Sequence, residues 1–194
     1  MTLEAQKRLR CPACELPLRT CLCALVRKVQ HRIAVQVLQH PDEADQAKGT
    51  VRLLQRCLQN CDLTVGEHFQ LPAEWLNGRT WLLYPSPQAE PAPAGAPARL
   101  LVLDATWRKS RKLLHLNPIL ASLPRYALRT QQASHYGELR RAQAAHQLST
   151  LEAVAAALAD LEGEPRIQHE LLAALQDWLA LQRQQRPTAI PSLC

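Results

Sequence analysis

The chain has 194 residues, of which 47% are hydrophobic and 21% charged, and it contains no apolar run near the ~18 residues that a membrane-spanning helix needs. We expect one compact domain with a small appendage, since domains run to roughly 100–200 residues. The first ten residues, MTLEAQKRLR, lack the apolar stretch of a secretory signal. A cytoplasmic, reducing compartment without disulfides is therefore expected.

The net charge of +6 is concentrated in one block of the chain. Residues 1–98 carry eleven basic and nine acidic groups, residues 142–194 carry three and six, and residues 99–141 carry nine and two, so the middle block alone holds +7. Eighteen of the 23 basic residues are arginine, whose planar guanidinium suits phosphates and base edges. The block is either a solvated helix surface or a surface for an anionic partner such as nucleic acid.

Four of the seven cysteines lie within thirteen residues, as a CxxC and a CxC motif: Cys11, Cys14, Cys21 and Cys23. Two thiolate pairs at this spacing can close a tetrahedral zinc site, and four sulfur ligands make the ion structural rather than catalytic. A redox-active CxxC is the alternative, although nothing before the first cysteine resembles the strand of a thioredoxin-like unit. The other three cysteines are interpreted as buried or incidental thiols: Cys57, Cys61 and Cys194.

Short apolar runs alternate with helical patterns after residue 28. The predicted strands are 33–38, 63–65, 81–84, 100–103 and a stretch around 126–129. The predicted helices are 51–60, 107–116, 151–161 and 165–183, and the proline-rich segment 88–98 is expected to be an exposed loop. This alternation predicts an α/β fold with a mostly parallel sheet. We divide the chain into a zinc-ribbon-like module (1–28) and a main domain (29–194).

Polar residues follow the predicted strands, at the edge where parallel α/β sheets bind ligands. Asp104 ends a buried strand before a basic helix, and it is either a group that orients or removes a proton or an N-cap. Ser149, Thr150 and Glu152 are equally ambiguous, since they also resemble a helix start. Trp107 either packs against the core or lines a cleft.

A further polar segment follows the first predicted strand, as His40-Pro41-Asp42-Glu43 and Lys48-Gly49-Thr50-Val51-Arg52. Thr50 can cap the next helix, and Arg52 can point at a phosphate or a carboxylate. A capped helix with surface charges is the alternative interpretation.

Taken in order, these motifs resemble the DTW-domain proteins, which are tRNA-uridine aminocarboxypropyltransferases of the SPOUT-like class. The resemblance rests on CPAC with CLC, HPDE with KGTVRLL, LLYPS, LDATWRKSRKL and LSTLEAVAAAL. The name-giving pattern D-x-T-W stands intact as Asp104-Ala105-Thr106-Trp107. Together the motifs span residues 11 to about 158.

The resemblance implies a SPOUT-like sheet whose C-terminal half forms a trefoil knot and binds S-adenosylmethionine in a bent form. Its 3-amino-3-carboxypropyl group would pass to uridine N3 of a tRNA, in the variable loop by analogy with bacterial members, and methylthioadenosine would be released. Asp104 is the candidate for orienting or removing the N3 proton. A SPOUT-type RNA methyltransferase and a non-catalytic zinc-ribbon RNA-binding protein are the alternatives, and monomer and homodimer both stay open.

Position by position, the resemblance assigns sets of site residues. The catalytic set is Asp104, Thr106 and Trp107. The cofactor-binding set is Leu83, Tyr84, Pro85, Ser86, Leu103, Asp104, Ala105, Thr106, Leu148, Ser149 and Thr150. The RNA-binding set is Arg108, Lys109, Arg111 and Lys112, with His40, Glu43, Thr50 and Arg52 on the opposite wall. The structural zinc ligands are Cys11, Cys14, Cys21 and Cys23.

Overall fold

The computed structural model describes residues 9–44, 46, 49–85, 95–128 and 148–184. Its strands are β1 (Ala34–Gln39), β2 (Cys61–Val65), β3 (Thr80–Leu83), β4 (Arg99–Asp104) and β5 (Arg125–Tyr126). They form one five-stranded sheet in the order β2-β1-β4-β3-β5, and every pair is parallel. The predicted parallel α/β sheet is confirmed.

Helices separate the strands along the chain. They are α1 (Pro41–Ala44), α2 (Val51–Cys57), α3 (Trp107–Leu116), α4 (Pro118–Ala121), α5 (Thr150–Glu162) and α6 (Pro165–Gln184). Short 3₁₀ turns occupy Leu18–Thr20, Cys23–Leu25 and Ala73–Leu76. None of the helices in the described ranges combines the length and the apolar composition that a membrane crossing requires.

The sheet is covered on both faces. Leu100 and Val102 of β4 belong to a buried cluster that includes residues of α2, α5 and α6, among them the fully buried Trp178. Leu101, between them, belongs to a second cluster with Leu113 of α3. Successive side chains of a strand point to opposite faces, so a strand covered on both sides is a continuous apolar run. This explains why the predicted strand 100–103 is apolar at every position.

The connections of the sheet diverge at the carboxyl ends of β1 and β4, and we call this part of the sheet edge the crevice. These strands are neighbours, and their last residues, Gln39 and Asp104, are register partners. From β1 the chain continues to β2 on one side of the pair, whereas from β4 it continues to β5 on the other side. Ligands of open α/β sheets bind at such a divergence point.

The main difference from the predicted elements lies after α2. The predicted helix 51–60 ends at Cys57, because Leu58 takes an extended conformation and pairs with Val29. β2 then begins at Cys61, which therefore lies on a strand and not on the helix of Cys57. Burial raises the pKa of the Cys61 thiol to about 12, in agreement with an unreactive thiol.

The remaining differences concern short elements and undescribed residues. Helices α1 and α4 are four residues long and too short to give a periodic pattern. The last predicted strand is the two-residue β5. Ser86, Arg129 and Cys194 lie outside the described residues, as does the segment 129–147.

Candidate functional site

The four N-terminal cysteines form a compact cluster. Their sulfur atoms all lie within 4.8 Å of one another, and the Cys11–Cys23 and Cys14–Cys21 Sγ distances are both 3.7 Å. A tetrahedral zinc ion with Zn–S bonds of about 2.3 Å places its sulfur ligands about 3.8 Å apart. The cluster could therefore hold a metal ion, and its dimensions fit zinc.

The electrostatics of the cluster favour a bound cation. Backbone N–H groups of Cys14 and Ala13 donate towards the Cys11 sulfur and lower the pKa of this thiol to about 6, which favours the thiolate that metals bind. Burial and the neighbouring sulfurs raise the pKa of Cys23 to about 12. Four thiolates this close repel one another, and a divalent cation removes that repulsion.

The segment after the cysteine cluster is attached to α6. Arg27 donates to Asp177 Oδ2 at 2.9 Å and to Glu170 Oε2 at 3.4 Å. Leu22, between the second pair of cysteines, is 1% exposed and belongs to the same buried cluster as Trp178. The cysteine cluster thus packs on the helical face of the main domain.

Asp104 stands in the crevice at the end of β4 and is held from two sides. Gln39 Nε2 donates to Asp104 Oδ2 at 2.6 Å, and the Thr150 hydroxyl donates to Oδ1. The backbone N–H of His40 donates to the Asp104 carbonyl at 3.1 Å. Each carboxylate oxygen accepts one hydrogen bond from a different element, so the orientation of the carboxylate is fixed. Gln39 was not among the predicted site residues.

Thr106, and not Asp104, caps α3. The N-cap residue is Thr106, whose Oγ1 accepts from the backbone N–H of Lys109 at 3.4 Å. The carboxylate of Asp104 is therefore not used as the N-cap of α3.

Ser149 and Thr150 are adjacent and have different partners. Ser149 caps α5, and it forms a complete capping box with Glu152, whose carboxylate accepts from the Ser149 N–H at 2.7 Å. The helix-start interpretation is confirmed for Ser149. Thr150 instead reaches across to Asp104.

Thr50 connects α5 to the opposite side of the sheet edge. It is the N-cap residue of α2, as predicted, but its side chain makes no cap hydrogen bond there. Its Oγ1 accepts from the backbone N–H of Leu151 at 3.3 Å instead, because the α5 N-terminus packs against it. α5 thus contacts both Thr50 and Asp104 within its first two residues.

Tyr84 and Trp107 form an aromatic pair beside the crevice. Their ring centroids are 5.9 Å apart in an edge-to-face arrangement. The Tyr84 hydroxyl lies 3.1 Å from the Oγ of buried Ser110, and this Oγ donates to the Trp107 carbonyl at 3.0 Å. Trp107 is 47% exposed, so it does not pack in the core.

The two lysines of the predicted RNA-binding helix are paired with acidic residues. Lys109 Nζ lies 3.0 Å from Glu43 Oε1 and 3.2 Å from Asp42 Oδ2, and Lys112 Nζ lies 2.8 Å from Glu67 Oε1. Glu43 raises the pKa of Lys109, whereas Lys109 lowers the pKa of Asp42 and Lys112 lowers that of Glu67.

The two arginines of the same helix differ from the lysines. Arg108 and Arg111 are exposed, and within the described part of the chain no acidic partner is recorded for either. Both belong to the same helix as Trp107, which begins α3.

The predicted opposite wall is mostly buried. His40, Glu43 and Thr50 are 5%, 7% and 4% exposed. His40 Nδ1 accepts from the backbone of Asp42, and its Nε2 lies 2.8 Å from a Glu67 oxygen. The side chains of His40 and Thr50 therefore face protein groups instead of an open surface. Glu43 and Arg52 of this wall line an open cavity, of about 200 Å³, at the ends of β1 and β2.

The other described residues of the predicted cofactor set lie at the same edge of the sheet. Leu83 is buried, Pro85 is exposed, and three residues are half-buried: Leu103, Ala105 and Leu148. The sheet register brings Leu83 and Leu103 to the carboxyl ends of neighbouring strands. The segments 83–85, 103–106 and 148–150 thus meet at one edge, as the strand-end argument predicts.

The chain is thus an α/β protein with a parallel sheet covered on both faces, and its polar side chains lie at the sheet edge where ligands of such proteins bind. Residues 8–183 match the DTW domain, and the chain belongs to the DTW-domain family. No solved structure matches the chain.

Among known proteins, the chain is similar to tRNA-uridine aminocarboxypropyltransferase 2 from three animals. It is 30% identical to the Mus musculus protein, with 93% of this chain and 66% of that protein covered. For Macaca fascicularis the values are 29%, 93% and 65%, and for Drosophila melanogaster 29%, 87% and 73%. The chain thus spans slightly less than two thirds of the length of the two mammalian relatives.

Proposed function

We propose that this protein is a tRNA-uridine aminocarboxypropyltransferase. It transfers the 3-amino-3-carboxypropyl group of S-adenosylmethionine to uridine N3 of a tRNA, in the variable loop by analogy with bacterial members of the family. The observation that carries the proposal is the position of Asp104 of the D-x-T-W motif. Its carboxylate accepts hydrogen bonds from Gln39 and Thr150 at the divergence point of the sheet. The names of the similar proteins support the reaction class.

The residues at the crevice suit a sulfonium ligand. Asp104 offers a negative charge, and the rings of Tyr84 and Trp107 offer aromatic faces, both of which stabilise a nearby cation. When bound, S-adenosylmethionine supplies three electrophilic carbons on one sulfur, and methylthioadenosine leaves when the aminocarboxypropyl carbon is attacked. The proposal includes the SPOUT-like knot that the family resemblance implies. Residues 129–147 are not among the residues that the structure describes, so the path of the chain through this part is not known from the structure.

Asp104 orients or accepts the N3 proton of the uridine nucleophile in this proposal. Uridine N3 is a weak acid, so a new N3–C bond requires that the N3–H proton be removed, and a fixed carboxylate directs or accepts it. A carboxylate has about four lone-pair sites, and Asp104 uses one on each oxygen for Gln39 and Thr150. It can therefore still accept a hydrogen bond from a substrate.

The tRNA backbone contacts the exposed side of α3 in this proposal. Arg108 and Arg111 contact phosphates directly, since their guanidinium groups are exposed and suit bidentate pairing. Lys109 and Lys112 contribute positive potential, but their ammonium groups are already engaged by acidic side chains. The cysteine cluster binds a structural zinc ion.

The decisive experiment identifies the small product. The purified protein is incubated with tRNA and S-adenosylmethionine, and both the supernatant and the digested tRNA are analysed by mass spectrometry. Methylthioadenosine together with aminocarboxypropyluridine supports the proposal. S-adenosylhomocysteine would identify a methyltransferase instead, and the absence of both products, with tRNA binding retained, would identify a non-catalytic RNA-binding protein.

Asp104→Asn tests the role of the carboxylate. The substitution keeps the size of the side chain but removes its charge, so we expect transfer to fall by about 10²- to 10⁴-fold, the usual contribution of a general base. Binding of S-adenosylmethionine, measured by calorimetry, should change far less. Near-normal transfer in this variant would exclude Asp104 from the chemistry.

A further inference from the structure

Gln39 has an unusual position for a buried amide. Its side chain is 5% exposed, it ends β1, and its Nε2 lies 2.6 Å from Asp104 Oδ2. The register pairs the two residues directly across neighbouring strands. Burying an amide costs free energy unless its hydrogen bonds are made, and here the described bond goes to a carboxylate, which makes it charge-assisted.

The second restraint on Asp104 comes from a different part of the chain. Thr150 donates to Oδ1 from the first residue of α5, and Gln39 donates to Oδ2 from β1. A carboxylate held through one oxygen can still rotate about χ2, which is a soft torsion. Two donors on the two oxygens remove that freedom. Gln39 is the only one of the two donors that belongs to the sheet.

The other buried glutamine of β1 shows that amide burial alone does not explain this arrangement. Gln36 is also 5% exposed, and its Nε2 donates to Thr64 Oγ1 at 3.2 Å and to the Val37 carbonyl at 3.3 Å. Those bonds tie β1 to β2 and its own backbone. Gln36 thus offers an internal comparison: the same residue type in the same strand, with the same burial, but without contact to Asp104.

From this geometry we infer that Gln39 is a positioning residue for the transfer reaction: it fixes the Asp104 carboxylate in the orientation in which it meets the nucleophile. The inference rests on the proposed function and adds a residue to it. Rate contributions from positioned groups depend on small displacements. The effect of Gln39 therefore belongs to the rate of the bound complex and not to the binding of either substrate.

The test compares Gln39→Leu with Gln36→Leu in steady-state transfer assays with tRNA and S-adenosylmethionine. We expect Gln39→Leu to lower kcat by about 10- to 100-fold, the range for a lost hydrogen bond to a charged group, with both KM values within about twofold. Gln36→Leu should keep kcat within about twofold. Equal kcat losses in the two variants, or a Gln39→Leu effect confined to KM, would overturn the inference.

A swapped pair separates positioning from folding. Gln39→Glu alone places two carboxylates in contact and should lower the Tm, whereas Gln39→Glu combined with Asp104→Asn restores an amide–carboxylate hydrogen bond of reversed direction. We expect the double variant to recover the Tm but not the transfer, because the carboxylate then stands on β1. Recovery of transfer would show that the two positions are interchangeable and would refute the assignment.

The activity of the wild-type protein distinguishes a failure of the proposed function from a failure of the inference about Gln39. If it releases no methylthioadenosine, the proposed function fails, and the Tm comparison of the single and swapped variants still reports whether the pair is coupled. If the wild-type protein is active and Gln39→Leu matches it, only the present inference fails.

Discussion

The cysteine cluster and the Asp104 site are assembled in opposite ways. The four cysteines come from thirteen consecutive residues, and their sulfurs converge through two short turns. Gln39, Asp104 and Thr150 are separated by 65 and 46 positions in the sequence, and only the strand order and the docking of α5 bring them together. A site built from neighbouring residues depends on a ligand and local turns, whereas a site built from distant ones depends on the whole sheet.

Removal of the metal has the largest expected effect. With chelator, or in Cys14→Ser, the cluster should lose the proposed zinc ion, and the free energy of unfolding should fall by several kcal/mol, on the order of 5. Because the cluster packs on the buried core beside α6, thermal unfolding followed by circular dichroism should report the loss. One zinc ion per chain, measured by atomic emission, should be lost in parallel.

Cys61→Ala is the matched control for the metal experiment. This half-buried thiol lies on β2, outside the cluster, so the variant should keep one zinc ion per chain. If the wild-type protein carries no metal and its Tm does not change with chelator, the cysteine cluster does not depend on a bound ion, and the prediction is wrong.

The second prediction concerns the basic residues beside the distant site. Arg108→Ala with Arg111→Ala should weaken tRNA binding by about tenfold and lower the slope of log affinity against log salt by about 1.5, as expected for two lost phosphate contacts. Lys109→Ala with Lys112→Ala removes the same charge. Its effect should be about twofold with an unchanged slope, since both ammonium groups already contact acidic side chains.

These two double variants form their own control, because long-range electrostatics changes equally in both. Binding is measured by fluorescence anisotropy of labelled tRNA at several salt concentrations. Equal losses of affinity and slope would show that the ion pairs of the lysines open when RNA binds. Unchanged tRNA binding in the arginine variant would show that the RNA-binding surface does not include these arginines of α3.

The contrast between the two regions also explains what could be predicted. The cluster of four cysteines follows from spacing alone, and the strands β1, β3 and β4 follow from apolar runs that are buried on both faces. Asp104 was found because a polar residue at the end of a buried strand is unusual. Its alternative as an N-cap could not be decided, since Asp and Thr both cap helices and only the structure shows that Thr106 does so.

The contacts that sequence reasoning missed all join distant elements. Gln39 has no signal in the sequence, because the contact of this glutamine with Asp104 exists only when β4 lies beside β1. Thr50 is the N-cap residue of α2, but its hydroxyl accepts from Leu151 of α5. The lysines of α3, which we expect to contact RNA, also have acidic partners 45 to 67 positions earlier in the chain. Helical spacing within α3 contains no information about such partners.

The smallest expected effects separate local from distant roles within one helix. Thr150→Val keeps the β-branched shape but removes the hydroxyl that restrains Asp104, and we expect transfer to fall by about five- to tenfold. Gly163→Ala acts at the other end of α5, where the backbone has φ 66°, a left-handed conformation that alanine adopts with strain. It should lower the free energy of unfolding by about 1 kcal/mol and leave transfer unchanged.

The two variants are compared by kcat and by urea unfolding on the same preparations. Among the described residues, no atom beyond Gly163 and its two chain neighbours lies within 4 Å of a Cβ added there, so we expect backbone strain to account for the cost of that substitution. If Thr150→Val lost as much stability as Gly163→Ala and no activity, the hydroxyl would serve only to dock α5 on the sheet. The Asp104 site would then be restrained from one side, by Gln39, and a rate effect would be expected from the loss of Gln39 alone.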